Sequence, residues 1–199
     1  MHSSGGIRWR RLDAPGWEEA RLERAPDGWR LWGELEFEEE GVPTRLTYRI
    51  LCDRRWRTRS AAATGEVGGR PVELALTADG RGRWLRSGRS IPEVAGALDV
   101  DLSATPSTNT LAIRRLGLRV GESAPARAAW FRLPERRLEP LEQTYSREGE
   151  HLYRFDAVVD GQLFSAHLDT DARGWVVRYE GLWEAEERQD GPPVSLDHL

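Results

Sequence analysis

Hydrophobic and polar residues alternate with a period of two along much of the chain. In segment 31–37, Leu31, Leu35 and Phe37 share one face, and Trp32 points to the other. This alternation is typical of a β-strand with one buried face. The same pattern recurs in further short segments, at 46–50, 72–76, 131–133, 153–159, 164–168 and 175–179.

Residue pairs that favour turns separate these segments. They are Asp27-Gly28, Glu40-Gly41, Gly68-Gly69, Asp79-Gly80, Asp160-Gly161 and Arg173-Gly174. Short strands that alternate with turns every 8–12 residues or so are typical of a meander, sandwich or barrel. Segment 17–24 fits a helix or a strand, and the turn at 26–28 favours a hairpin with 29–38. The sequence therefore predicts an all-β fold.

Helical signals are scarce. Segment 90–98 carries a capping box, Ser90 with Glu93, and Pro92 in its first turn, which predicts a short helix. Segments 70–84 and 162–175 each combine a strand, an aspartate, a glycine and a tryptophan. They are interpreted as two similar hairpins from two related half-sheets, although any two hairpins can look alike at this level.

One β domain is expected over residues 1–186. Residues 187–199 lose the alternation and contain Gly191-Pro192-Pro193, so a flexible C-terminal tail is expected there. A chain of 199 residues is long enough to bury a substantial core.

Charge and composition exclude several kinds of chemistry. The net charge is −4 and neither half is strongly basic, which argues against a nucleic-acid partner. All 29 basic residues are arginine, so no lysine Schiff base or P-loop lysine can form. The single cysteine, Cys52, excludes an internal disulfide and a cysteine zinc site. No 18-residue apolar stretch or secretory signal is visible, so a cytoplasmic protein without a transmembrane segment is expected.

The densest group of polar residues lies in segment 99–116. Asp99 and Asp101 would point the same way on a strand, and a run rich in threonine and serine leads to Asn109 and then to Arg114 and Arg115. One interpretation is the polar wall of a pocket, with Asn109 and an arginine donating to a ligand. The other is a carboxylate–arginine network that satisfies itself and pins an irregular crossing.

The same segment resembles the signature of a bacterial family of unknown function named for "putative glycolipid binding". The matching pattern is Asp-x-Asp-Leu-x-x-Thr-Pro-x-Thr-Asn-Thr-Leu-x-Ile-Arg-Arg-Leu, with Ala112 where many relatives are expected to carry proline. The resemblance extends to residues 56–59, 79–84, 143–145 and 174–183, and so covers roughly residues 12–183.

The resemblance implies a strongly curved antiparallel sheet or an incompletely closed β-barrel, similar to cavity-bearing lipid carriers. It also implies a small amphiphilic, glycolipid-like ligand, and it assigns no catalytic role to these residues. The candidate ligand-binding residues are Arg57, Asp99, Asp101, Thr108, Asn109, Arg114, Arg115, Gln143 and Tyr145. The arginines and Asn109 would meet the polar head, the two aspartates would orient the arginines, and Gln143 and Tyr145 would add hydrogen bonds.

Two other functions stay open from the residues alone. A hydrolase-like enzyme could use Asp99 or Asp101 as acid or base, and a raised pKa for one of them would favour it. A structural or interaction protein would bind no ligand and would expose an apolar patch. Neither a cofactor nor a metal ion is expected, and the oligomeric state is left open.

Overall fold

A computed structural model describes residues 5–103 and 105–189, which form fifteen β-strands, one α-helix and one turn of 3-10 helix. The strands are β1 (Gly5–Arg11), β2 (Gly16–Ala25), β3 (Gly28–Glu39), β4 (Val42–Asp53), β5 (Thr58–Val67), β6 (Arg70–Ala78), β7 (Trp84–Arg86), β8 (Arg89–Ser90), β9 (Asp99–Asp101), β10 (Ser123–Arg132), β11 (Arg137–Arg147), β12 (Leu152–Val159), β13 (Gln162–Thr170), β14 (Val176–Tyr179) and β15 (Trp183–Gln189). The helix α1 spans Pro106–Leu116, and the 3-10 turn spans Pro92–Val94. The predicted all-β fold is confirmed.

All fifteen strands belong to one sheet. Its order is β8-β7-β6-β5-β4-β3-β2-β1-β15-β14-β13-β12-β11-β10-β9, and only the β9–β10 pair is parallel among the described strands. The sheet thus consists of two meanders, β1–β8 and β9–β15, which meet where β1 pairs with β15. The predicted hairpin between segments 17–24 and 29–38 is confirmed as the β2–β3 pair.

The sheet curls strongly, as expected, but does not close into a barrel. Thr58 at the start of β5 donates its N–H to the Leu98 carbonyl oxygen at 2.9 Å, and its hydroxyl accepts the Val100 N–H at 3.2 Å. These bonds bring the β9 edge back against the first meander. Among the described residues, however, the edge strands β8 and β9 do not pair with each other.

Side chains that alternate inward fill the concave side of the sheet. Trp9, Trp84 and Trp183 are fully buried there. The indole N–H of Trp9 donates to the Val176 carbonyl oxygen at 2.8 Å, and that of Trp84 donates to the Ala97 carbonyl oxygen at 2.8 Å. A buried tryptophan combines a large apolar surface with one polar group that needs a partner, and these two have one.

Helix α1 lies on the concave side of the curled sheet. The sequence did not predict a helix at these residues. Its residues 106–113 are all buried, although positions 107–110 are Ser-Thr-Asn-Thr. Pro106 occupies the first turn, where a missing N–H costs nothing, and Gly117 ends the helix in a left-handed conformation (φ 57°). No helix was predicted in segment 99–116, because hydroxyl and amide side chains are weak helix formers and break the apolar periodicity.

The helix predicted for 90–98 is wrong in extent. Only the 3-10 turn at Pro92–Val94 forms, and no side chain caps it. Ser90 belongs to β8, where it is paired opposite Leu85, so it is not in position to cap a helix. Strand pairing therefore prevailed over the local capping signal.

The end of the chain is described only in part. Strand β15 reaches Gln189, and the remainder of the predicted tail, residues 190–199, lies outside the described residues. The two stretches interpreted as similar hairpins include β6 with β7 and β13 with the turn before β14. A duplication of half-sheets stays a prediction. No helix in the described ranges has the length and apolar character needed to cross a membrane.

Candidate functional site

A cluster of buried polar side chains surrounds α1 on the concave side of the sheet. We call it the polar cluster, and its members are Glu18, Tyr48, Asp101, Ser107, Asn109, Gln143 and Tyr145, all of them buried. Two belong to α1, and the others come from β2, β4, β9 and β11. Such a concentration of polar groups in a core must satisfy its hydrogen bonds internally or with a ligand.

One branch of the cluster joins β2, β4 and the start of α1. The Tyr48 hydroxyl donates to Glu18 Oε1 at 2.5 Å and lies 2.9 Å from Ser107 Oγ. Gly33 on β3 makes room for this contact, since a Cβ there would lie 2.6 Å from the Tyr48 oxygen. The second carboxyl oxygen, Glu18 Oε2, is buried without a well-aligned hydrogen bond, although Ser107 approaches this carboxyl group with its N–H and its hydroxyl.

The other branch joins β9, β11 and the middle of α1. Gln143 Nε2 donates to Asp101 Oδ2 at 2.8 Å, and Asn109 Nδ2 donates to the Tyr145 hydroxyl at 2.9 Å. Gln143 and Tyr145 are two residues apart on β11, so they point to the same face. As with Glu18, the second oxygen, Asp101 Oδ1, is buried without a well-aligned hydrogen bond, although the Ser103 N–H approaches the Asp101 carboxyl group.

Burial changes the acidity of both carboxyl groups. It raises the pKa of Glu18 to about 7 and that of Asp101 to about 7. The charge of nearby Asp99 adds to the increase in the Asp101 pKa, while the hydrogen bond from Gln143 opposes it. Near neutral pH, each carboxyl group can therefore either donate or accept a hydrogen bond.

The two arginines at the end of α1 have partners outside the polar cluster. Arg115 forms a bidentate pair with buried Asp99, with Nε–Oδ1 at 2.7 Å and Nη2–Oδ2 at 2.6 Å. Arg114 lies over the Trp56 ring, 4.8 Å from its centroid, and donates from Nη2 to the Arg173 carbonyl oxygen. Burial lowers the pKa of Arg114. Both contacts fix the C-terminal turn of α1 to the surrounding sheet.

Aromatic side chains connect the polar cluster to the surface. Ring centroids lie 5.2 Å apart for Tyr145 and Phe155, 6.2 Å for Phe155 and Phe164, and 6.3 Å for Phe164 and Tyr179. We call these four residues the aromatic path. Tyr145 is fully buried, whereas Phe164 on β13 is 37% exposed. The path thus leads from the hydrogen bond at Asn109 to solvent.

The chain is similar to a known protein family and to a solved structure. Residues 6–185 match the family described as "Putative glycolipid-binding". The chain belongs to this family. It is similar to the crystal structure of a DUF1089 family protein from Pseudomonas aeruginosa, with a TM-score of 0.75 and 34% sequence identity over 85% of this chain and 91% of the other. A comparison with curated proteins found no significant match.

The structure brings together four of the residues that the family resemblance suggested as ligand-binding: Asp101, Asn109, Gln143 and Tyr145 all lie in the polar cluster. Asp99 and Arg115 form a separate ion pair, the network that was one of the two interpretations of segment 99–116. Asp101 contacts Gln143 and does not orient an arginine through any hydrogen bond or ion pair in the described residues.

The remaining candidates lie elsewhere. Arg57 is half-buried before β5, and its Nη1 donates to the Gly80 carbonyl oxygen at 3.2 Å. Thr108 Oγ1 stays within the start of α1, 3.1 Å from Thr105 Oγ1. Arg114 reaches Trp56, as described above. Their part in binding stays a prediction.

Sequence reasoning missed three members of the polar cluster: Glu18, Tyr48 and Ser107. The signal for Glu18 was present, because it shares the buried face of β2 with Ala20 and Leu22, and a carboxylate at a core position of a strand is unusual. Its partners could not be inferred, since they lie 30 and 89 positions away along the chain.

Two open cavities lie on the convex face of the sheet, away from the polar cluster. One, of about 180 Å³, is lined by residues that include Trp17, Trp32 and Thr47. The other, of about 360 Å³, is lined by residues that include Leu51 and Leu85. In residues 5–103 and 105–189, no group of three or more His, Cys, Asp or Glu side chains is placed to hold a metal ion.

Proposed function

We propose that this protein binds an amphiphile of the glycolipid class between α1 and the concave face of the sheet, without altering it chemically. The observation that carries the proposal is the pair of buried carboxyl groups Glu18 and Asp101, whose oxygens Oε2 and Oδ1 have no well-aligned hydrogen bond, although the N–H groups of Ser107 and Ser103 approach these carboxyl groups. Each unpaired buried polar group costs about 1–3 kcal/mol, and a ligand hydroxyl would remove that cost. One such oxygen lies in each branch of the polar cluster.

The chemistry of the cluster supports a neutral, hydroxyl-rich head group. Its side chains are carboxyl, amide and hydroxyl groups, which bind hydroxyls as donors and acceptors. Arg115, on the same helix as Ser107 and Asn109, is already neutralised by Asp99. A phosphate or carboxylate head would therefore approach Glu18 and Asp101 without a compensating positive charge.

The aromatic path supports an apolar tail next to this head group. Phe155 and Tyr179 line the way from Tyr145 to the partly exposed Phe164. An acyl chain along these rings would gain about 0.8 kcal/mol for each methylene group removed from water. Head and tail sites are thus contiguous, as an amphiphile requires.

Binding requires α1 to shift, because its buried face covers the polar cluster. The hydrogen bonds that hold this face are those of Ser107 with Tyr48 and Asn109 with Tyr145. Ligand hydroxyls can replace both, since they offer the same donors and acceptors. The Asp99–Arg115 pair can stay in place as the anchor of the helix end.

Native mass spectrometry of the purified protein, followed by lipid extraction, tests this function. We expect a co-purifying amphiphile with a neutral sugar head, and we expect Asp101→Ala and Asn109→Ala to reduce its occupancy. Asp169→Ala is the matched control, because Asp169 lies on β13 with 42% of its side chain exposed.

A wild-type protein with only the ligand-free mass, and with no thermal shift across a panel of glycolipids, would contradict the proposal. So would Asp101→Ala and Asn109→Ala variants that lose thermal stability yet retain full ligand occupancy. The pKa of about 7 for Asp101 also suits a general acid. Time-dependent cleavage of the bound amphiphile, lost in Asp101→Asn, would favour the hydrolase instead.

A further inference from the structure

The tip of the β12–β13 hairpin concentrates exposed apolar side chains. Six large hydrophobic residues are exposed among the described residues, and three of them belong to this hairpin. Val158 is 55% exposed, Leu163 71% and Phe164 37%. These three lie within seven positions along the chain, so they form one patch. We call this patch the apolar tip.

The apolar tip has apolar side chains on both faces of the hairpin. Val158 and Leu163 are paired across the strands on the convex side, and both are exposed. Phe164 is paired with Ala157 on the concave side, where it contacts Phe155 and Tyr179. A strand that covers a core needs only one apolar face. Apolar side chains on both faces are favourable where both sides of the tip meet an apolar environment.

Charges around the apolar tip are balanced. Asp160 in the turn is held by Arg132, with Nη1–Oδ1 at 2.8 Å and Nη2–Oδ2 at 2.6 Å. Arg132 also lies 3.1 Å from Glu135, and Arg137 lies 2.8 Å from Glu139. The neighbouring β10–β11 turn contributes one more exposed arginine, residue 136, to this end of the sheet.

The chain as a whole is acidic, with a net charge of −4. The β3–β4 hairpin, for example, ends in Glu38, Glu39 and Glu40. Acidic groups repel the anionic surface of a membrane, whereas arginines favour lipid phosphates. Of these two hairpin ends, the apolar tip is the one suited to approach a bilayer.

One edge of the hairpin limits how deeply it can insert. Within the described strands, β14 pairs with β13 only from Leu168 onward, and Glu180 Oε2 accepts the His167 N–H at 2.9 Å. Segment 162–166 therefore pairs with β12 alone. Backbone groups without a partner strand need water or lipid head groups, so they exclude a position in the hydrocarbon centre.

We propose that the apolar tip docks the protein on the surface of a lipid bilayer, at the boundary between head groups and acyl chains. Val158, Leu163 and Phe164 lie among the upper acyl chains, and Arg136 and Arg137 lie at the phosphates. The aromatic path reaches the surface at Phe164, so docking places its open end against the lipid. The inference goes beyond amphiphile binding, because it needs no bound ligand.

Co-sedimentation with phosphatidylcholine vesicles, with and without phosphatidylglycerol, tests the docking. The vesicles contain no glycolipid, so the result is separate from that for amphiphile binding. Wild-type protein should sediment with them. The double variant Val158→Asp/Leu163→Asp should lose about tenfold or more of its partition coefficient, since two apolar side chains no longer leave water.

Val120→Asp is the matched control, because Val120 is 58% exposed and precedes β10 at the end opposite the tip. Strand β10 is 10 residues long, so its two ends lie about 30 Å apart. An equal loss in Val120→Asp, or no sedimentation of the wild type, would overturn the proposal. If the wild type were a dimer that did not bind vesicles, and if the double variant were a monomer, the proposal would also be overturned. The apolar tip would then be a contact between two copies of the chain.

Discussion

Glu18 and Asp101 are carboxyl side chains that the fold keeps away from water. Burial raises the pKa of each to about 7, from ordinary values of 4.5 and 3.8. The folded protein therefore binds these protons more tightly than the unfolded chain does. The resulting stabilisation is fully present below about pH 4 and is lost as the pH rises through about 7.

Asp101→Asn should remove the Asp101 part of this pH dependence, because an amide carries no charge at any pH. The free energy of unfolding should fall from pH 5 to pH 8 by about 2–3 kcal/mol less in the variant than in wild type. Urea unfolding at both pH values measures the difference. Asp169→Asn, at an exposed position, serves as the control. If the free energy of unfolding fell by the same amount in wild type and in Asp101→Asn, the raised pKa of Asp101 would be contradicted.

Single residues of the polar cluster were predictable where the sequence concentrates polar groups or carries a family motif. Asp101 and Asn109 stood out in the polar segment 99–116, and Gln143 and Tyr145 were suggested by the family resemblance. Their partners were not, because the geometry depends on which strands become neighbours. Tyr48, for example, reaches Glu18 across β3 only because position 33 is glycine, and no local pattern indicates that contact.

Helix α1 shows how tertiary contacts stabilise an element that its own sequence does not favour. Ser107, Asn109 and Thr110 find hydrogen-bond partners in the surrounding sheet, as when Thr110 Oγ1 accepts the Val176 N–H at 3.2 Å. Strands were predictable because each presents a simple alternation to one core. A helix enclosed on all sides needs no apolar stripe of its own, so periodicity alone could not reveal it.

Arg115→Met should release the end of α1 by leaving Asp99 buried without its partner. Breaking one side of a buried ion pair costs about 3–5 kcal/mol, whereas replacing both sides costs much less. Urea unfolding should therefore show a large loss for Arg115→Met and a clear recovery for Asp99→Asn/Arg115→Met. Arg119→Met, at an 87% exposed side chain, should change little. A double variant no more stable than the single one would argue against this role.

The complete sheet depends on the pairing of its first and last strands. In the described residues, β1 and β15 form the ladder between the meanders β1–β8 and β9–β15. Trp9 on β1 reinforces this junction from the core side, since its indole packs edge-on against Trp175 with centroids 5.8 Å apart. Its N–H also bonds the Val176 carbonyl oxygen in the second meander.

Trp9→Ala should therefore destabilise the β1–β15 junction more than it destabilises either meander. Removal of a fully buried tryptophan costs about 3–5 kcal/mol. Hydrogen exchange followed by mass spectrometry should show the largest loss of protection in β1, β14 and β15, because local opening begins where contacts have been removed. Trp17→Ala is the control, since Trp17 is half-buried on the convex face against Arg8. Equal loss of protection in all strands would instead mean that the two meanders unfold as one unit.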